Sequence, residues 1–218
     1  MNRRLEAFFD VTARKPSGWL GRLMYRHPLG HYGFFQVALA RLQLRPEDVL
    51  LEIGCGGGVL LDMALRTARR VWGIDHSPDM VRLARQKNRR ALSEGRAWVV
   101  HGDAEVLPWA RATFTCATGV EVLYFMERPT RAFRELYRVL RPGGRLVLVT
   151  AAEPRSGLSR LASSAWLRYL RFYSDHELAS MLEETEFHMV QVKKVDRSEH
   201  TIYTHQLALA VRRHDVEE

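Results

Sequence analysis

The chain reads as an α/β protein built on a doubly wound sheet of seven strands, mostly parallel, with a terminal antiparallel hairpin and an N-terminal helical arm. Three observations predict it. From Asp48 onward, short apolar runs alternate with helical stretches, the pattern of repeated βα units. The first apolar run is closed by glycines that open a helix, the strand-to-helix turn of such a sheet. The last two runs are joined by a short polar stretch, so they pair as a hairpin and not through a crossover helix.

The elements follow in order. Residues 2–45 read as a helical arm. In it Trp19, Leu20, Leu23, Met24 and His27 share one stripe, and Leu29, Phe34, Val37, Ala38 and Leu42 indicate a further helix between Pro28 and Pro46. Residues 49–53 fit a buried strand, 57–68 a helix, 71–75 a strand and 77–92 a second helix. Ser77 is a good N-cap for that helix and Pro78 a good first residue. Strands over 97–101 and 114–119 come next, then a helix over 129–140 stopped by R-P-G-G at 141–144, and a strand over 145–151. Helices over 156–172 and 174–186 precede the hairpin strands 189–195 and 203–212. The reading divides the chain into an arm or lid at 1–45 and a domain at 46–218, with 154–173 inserted as a lid helix.

Composition narrows the class. At 218 residues the chain is long enough for a core that needs no disulfide or metal staple. A hydrophobic share of 46% and a charged share of 27% exclude wholesale disorder and fibrous classes. Cys55 and Cys116 have neither zinc spacing nor a disulfide framework, so no metal is expected. The N-terminus lacks the apolar core of a signal peptide, and a cytoplasmic address is the expectation. The net charge of +8 is uneven: residues 1–45 carry +6, and residues 46–218 only +2. A basic arm attracts an anionic substrate, a membrane surface or nucleic acid, or is a solvated helix face.

The glycine loop carries the chemistry. Residues 50–58 read L-L-E-I-G-C-G-G-G. A dinucleotide fingerprint needs a third glycine at position 59 or 61, where Val59 and Leu61 stand, whereas G-x-G-x-G is met by Gly54, Gly56 and Gly58. A nicotinamide oxidoreductase is therefore disfavoured. Asp75 closes the second strand about twenty residues on, where an acid takes both ribose hydroxyls. Asp103 follows the third strand in H-G-D-A-E-V-L-P-W, and R-V-L-R-P-G-G-R-L-V-L-V spans 138–149.

Those four blocks, in that order and spacing, resemble the class I S-adenosylmethionine-dependent methyltransferases. The similarity is greatest to the small-molecule branch that includes ubiquinone and menaquinone biosynthesis methyltransferases, and it covers residues 48–150 in detail. It implies a Rossmann-like sheet and S-adenosyl-L-methionine as cofactor. It further implies that Glu52, Gly54, Cys55, Gly56 and Gly58 line the methionine end and that Asp75 holds the ribose. His76 and Met80 would flank the adenine, Asp103 and Ala104 would bond its polar edge, and Gly119 and Val120 would lie beside the methionine amino group. Two departures stand out. Phe114-Thr115 replaces the F-D of many relatives, and E-V-L-Y-F at 121–125 replaces E-V-L-E-H, so no role tied to that histidine carries over.

A sulfonium leaves readily, so methyl transfer needs positioning and water exclusion more than a metal. Where the acceptor needs a base, Glu121 leads the candidates because it follows the fourth strand at the carboxyl edge of the sheet. His27, His31, Tyr32, Tyr124, Tyr203 and His205 are the others, each reading first as a packed or solvated side chain. Motifs of nucleobase amino methylation, pyrimidine carbon methylation and protein arginine methylation are absent from the sequence. The arm and the segment 154–173 are both amphipathic, aromatic and basic, as expected of a lid over an apolar acceptor, with or without an acidic group, a peripheral membrane contact or a homodimer interface. The expected activity is methylation of a hydrophobic small molecule (quinone-like, lipid or secondary metabolite). An RNA methyltransferase and a non-catalytic cofactor-binding scaffold are the alternatives.

Overall fold

The computed structural model describes residues 31–154, 171–195 and 203–214. The arm up to residue 30, with His27, and residues 155–170 of the inserted segment lie outside them. The described elements are α1 (Tyr32–Leu42), β1 (Val49–Ile53), α2 (Val59–Ala64), β2 (Arg70–Asp75), α3 (Pro78–Lys87), α4 (Arg89–Ser93), β3 (Ala97–His101) and β4 (Phe114–Val120). After a short 3₁₀ turn come α5 (Pro129–Val139), β5 (Leu140–Pro154), α6 (Asp175–Glu183), β6 (Phe187–Val195) and β7 (Tyr203–Arg212).

The strands form one seven-stranded sheet in the order β3-β2-β1-β4-β5-β7-β6. Pairs among β1 to β5 are parallel, and β7 runs antiparallel to both of its neighbours. The chain reverses direction along the sheet at β1, which pairs with β2 on one side and β4 on the other. A crevice opens at the carboxyl ends of strands where such a reversal occurs.

Helices cover both faces. Phe34 and Leu42 of α1, Leu60 of α2 and Ala84 of α3 pack with Leu50 in one buried cluster. Phe133 and Leu136 of α5 and Leu178 and Leu182 of α6 pack with Leu51 and Ile53 in the other. Neighbouring β1 residues thus bury on opposite faces, which is why the strand is apolar except at Glu52, next to its carboxyl end. Among the described residues no helix is long and apolar enough to cross a membrane.

Several boundaries differ from the sequence reading. β5 spans Leu140–Pro154, α6 is shorter than 174–186, β6 starts at Phe187, and residues 171–172 are not helical. Three further differences have a visible cause. The helix expected over 77–92 is two helices, parted at Asn88. The Asn88 amide donates to the carbonyls of Gly58 and Ala84, each at 3.0 Å, fastening the end of α3 to the glycine turn. Asparagine favours such side-chain bonds to backbone over helix continuation. The helix expected over 57–68 is confined to α2, because Gly58 precedes it at φ 75° and the chain after Ala64 closes into turns. The expected R-P-G-G stop is a bulge inside β5: Leu140 pairs with Phe114 and Arg145 with Cys116, so residues 141–144 face Thr115 alone.

Thr115 has a clear role. Its hydroxyl donates to Asp48 Oδ1 at 2.6 Å and accepts from the Val49 N–H at 3.0 Å. The other Asp48 oxygen accepts from Arg145 and from the Arg45 N–H. Asp48 is only 2% exposed, so one carboxylate locks the amino end of β1 to β4 and β5. A threonine suits that position because a second carboxylate there would face the first. Removing one member of a buried ion pair leaves its partner's charge unmatched, at a cost of about 3 kcal/mol. Asp48→Ala should therefore lower the denaturant-unfolding free energy by about that much, and a loss below about 1 kcal/mol would show that the network is dispensable.

Candidate cofactor and acceptor site

A cavity of about 510 Å³ opens at the carboxyl ends of β1, β2 and β4. Its floor is the turn after β1, where Gly54, Gly56 and Gly58 have φ of 64°, 48° and 75°. Side chains resist that region. At Gly54 the space is also taken, since a Cβ there would lie 2.5 Å from Val122 Cγ2.

Asp75, at the end of β2, organises the turn. Its Oδ2 accepts from the Gly56 N–H at 2.8 Å and its Oδ1 from the Ser77 N–H at 2.9 Å. Burial raises its pKa, opposed by those two N–H groups and by His76 and His101. Each carboxylate oxygen still has capacity for another donor. Next to it, Glu52 of β1 is 3% exposed, and its Oε2 has no hydrogen-bond partner. Burial, and then the charge of Asp75, hold the Glu52 carboxyl well above the usual carboxylate range. A buried carboxyl with an unused oxygen on a cavity wall is a receptor for a donor, above all a cationic one.

The thiols take no part in this polarity. Burial pushes Cys55 far up and Cys116 up to about 12, so neither forms a thiolate at neutral pH and both act as packing groups. Among the described residues no cluster of His, Cys, Asp or Glu could hold a metal ion.

The third wall is the loop after β3. Asp103 Oδ1 accepts from the Glu105 N–H at 2.9 Å. Glu105 in turn receives the N–H and Nε–H of Arg128, both at 2.9 Å, tying this loop to the start of α5. Neither Glu105 nor Arg128 is legible from sequence, because they lie 23 residues apart with no shared periodicity.

The far end is built around Glu121, just past β4. Its backbone has φ 57°, uncommon for a non-glycine residue. Its N–H donates to the Val149 carbonyl at 2.8 Å, which holds the residue in that conformation. Glu121 Oε2 accepts from the Tyr124 hydroxyl at 3.1 Å and lies 3.5 Å from His205 Nε2. Phe34 stacks on the His205 ring at 4.1 Å, so α1 seals this end. Burial lowers the pKa of His31, partly offset by the nearby charge of Glu121.

Of the residues singled out from sequence, Glu52, Gly54, Cys55, Gly56, Asp75, His76, Met80, Asp103, Ala104, Val120 and Glu121 line the cavity together. Gly58 and Gly119 do not. A Cβ on Gly58 would meet Asn88 and Ala84, and one on Gly119 would meet Ile53 and Val122, so both glycines serve packing. Of the other base candidates, His31 and Tyr124 are on the wall, His205 sits behind Glu121, and Tyr32 packs edge-on against Phe35. Phe35, Val122 and Met126 also line the cavity and were not singled out as site residues from sequence. Their apolar type was the only signal, and it equally fits core packing.

Glu52 carries a testable cost. Its raised pKa means that the neutral form is favoured on folding, so its contribution is fully present below the ordinary glutamate range and is lost as pH rises through the raised value. Glu52→Gln removes that penalty. Relief of about 1 kcal/mol shifts Tm by roughly 2–4 °C in a chain of this size. The ligand-free variant should melt above wild type at neutral pH, and the gap should narrow on acidification. A variant melting below wild type at neutral pH would show that the carboxylate is compensated.

Comparison with known proteins agrees with this architecture. A family model described as a methyltransferase domain matches residues 51–148. The chain is 28% identical to a demethylmenaquinone methyltransferase of Lactiplantibacillus plantarum, covering 76% of this chain and 73% of that one. It is 30% identical to the chloroplastic 2-methyl-6-phytyl-1,4-hydroquinone methyltransferase of Arabidopsis thaliana, over 85% of this chain and 56% of the other. Across the curated relatives compared, the chain spans between 29% and 73% of their own length. Among solved structures, phosphoethanolamine N-methyltransferase 2 of Haemonchus contortus superposes with a TM-score of 0.77 at 15% identity, over 96% of this chain and 60% of that one. The glycine turn and the acids at the ends of β1 and β2 agree with these relationships: residues 51–148 match a methyltransferase domain, and the chain is similar to methyltransferases of the small-molecule branch.

Proposed function

We propose that the protein transfers a methyl group from S-adenosylmethionine to a hydrophobic small-molecule acceptor. The observation that carries this reading is the pair of buried acids at the glycine turn: Glu52, with an oxygen lacking any partner, beside Asp75. Bound S-adenosylmethionine supplies an electrophilic methyl on a cationic sulfur. Glu52 meets its amino group, and Asp75 accepts from the ribose hydroxyls. His76 and Met80 flank the adenine, whose edge meets Asp103 and Ala104. The chain then has to hold the acceptor about 3 Å from the methyl, in line, and keep water out.

The remaining wall supports an apolar acceptor. Phe35, Val122, Phe125 and Met126 line it, in keeping with relatives named for a menaquinone precursor and a phytyl hydroquinone. The arm and segment 154–173 act as the lid. In support, Arg171, the first described residue after the gap, bonds the wall itself: its N–H donates to the Tyr124 carbonyl at 3.3 Å and its Nη1 to the Glu127 carbonyl at 3.0 Å.

Calorimetry with S-adenosylhomocysteine and the Asp75→Ala variant tests the cofactor assignment. Loss of a charge-assisted partner costs about 1.5–3 kcal/mol, so affinity should fall roughly tenfold or more while the circular dichroism spectrum stays native. Equal affinity in a folded variant would remove Asp75 from the site.

A further inference from the structure

Resting on that reading, we propose that the acceptor presents a weakly acidic hydroxyl, such as a phenol, and that Glu121 takes its proton while Tyr124 and His205 hold the carboxylate in place. The two carboxylate oxygens differ. Oε2 is engaged by the Tyr124 hydroxyl at 3.1 Å and faces His205 Nε2 at 3.5 Å. Oε1 is buried and has no partner, and the residue lines the cavity. The φ of 57° is a second, independent sign, since strained backbone at the end of a strand is kept where it aims a group.

The surroundings suit proton acceptance. The titratable groups facing Glu121 are Tyr124 from its own segment, His205 from β7 and His31 at the start of α1. Among the described residues no lysine or arginine forms an ion pair with it. Burial favours the neutral form of His31, so that neighbour does not quench the carboxylate. Glu121 is the catalytic residue of this proposal, and His205, which is 5% exposed and off the wall, is a positioning residue.

The step balances. The acceptor oxygen forms its bond to the methyl carbon, the methyl–sulfur bond breaks with its electron pair kept by sulfur, and the hydroxyl proton passes to Glu121 Oε1. One positive and one negative charge become two neutral groups. That change is favoured in an apolar, water-poor cavity, where separated charges are poorly solvated.

The test needs no turnover. The full-length protein is loaded with S-adenosylhomocysteine and titrated with 4-nitrophenol, whose ionised form absorbs visible light. A carboxylate that accepts from the hydroxyl favours the protonated phenol. Wild type should bind it saturably with loss of visible absorbance relative to free probe at the same pH. In Glu121→Gln the bound ionised fraction should rise at least severalfold, and in His205→Gln it should rise part of the way, a change that a merely structural role would not produce. S-adenosylhomocysteine affinity should stay within about threefold in both variants. No saturable binding of the phenol, or equal ionisation in wild type and Glu121→Gln, would overturn the inference. The wild-type spectrum alone decides the sign should a variant fail to fold. Failure of wild type to bind S-adenosylhomocysteine would instead bring down the methyltransferase reading on which the inference rests.

Discussion

Glu52 and Asp75 are kept out of water at the carboxyl ends of two adjacent strands, and much of the structure follows from making that tolerable. Asp75 is met by two backbone N–H groups, and these bonds bend the chain after β1 into its glycine turn. Glu52 stands opposite Gly73 in the sheet, where a Cβ would press on Leu61 at 2.7 Å and Cys55 Sγ at 2.8 Å. The glycine inside V-W-G-I-D thus lets the turn fold back against β2. Both carboxyls have raised pKa values from burial, a cost carried by apolar packing on both faces of the sheet. A site that stores unfavourable charge in the free protein gains more from a ligand that brings a cation and hydroxyl donors.

The other walls are held by separate ties of the same kind, a side chain bonding backbone far away in sequence. Asn88 reaches the Gly58 carbonyl, Glu105 reaches the Arg128 N–H, and Arg145 reaches the Leu42 carbonyl at the amino end of the sheet. Such bonds fix loops that regular structure leaves loose, and one of these ties, Glu105 with Arg128, itself lines the cavity. Glu121 differs in being fixed by its own backbone, through the Val149 carbonyl, while its carboxylate is held at one oxygen and is buried without a partner at the other.

Much of this was legible in the sequence, for physical reasons. The strands of a doubly wound sheet are apolar on both faces, and β1 was read at its observed limits, residues 49–53. Ser77 and Pro78 marked the start of α3, and the Ser77 hydroxyl does accept from the Met80 N–H. What escaped depends on contacts distant in the chain. Asn88 looked like one more helical residue because its partner at Gly58 is 30 residues away. Gly58 and Gly119 were read as ligand contacts because glycine marks close approach without saying to what. Phe35 and Val122 carried only their apolar type as a mark, which equally fits core packing. Thr115, read as a departure from relatives, became intelligible only once Asp48 was seen opposite it.

In the proposed function a buried carboxyl pair, with Glu52 Oε2 lacking a partner, receives a cationic cofactor. This reading is tested most directly by calorimetry of S-adenosylmethionine binding in buffers of differing ionisation enthalpy near neutral pH. Burial raises the proton affinity of the Glu52 carboxyl, and an arriving ammonium group opposes that shift. Binding should be saturable with net proton release, and that release should be lost in Glu52→Gln. Saturable binding with no proton linkage, or with the same linkage in the variant, would contradict the reading.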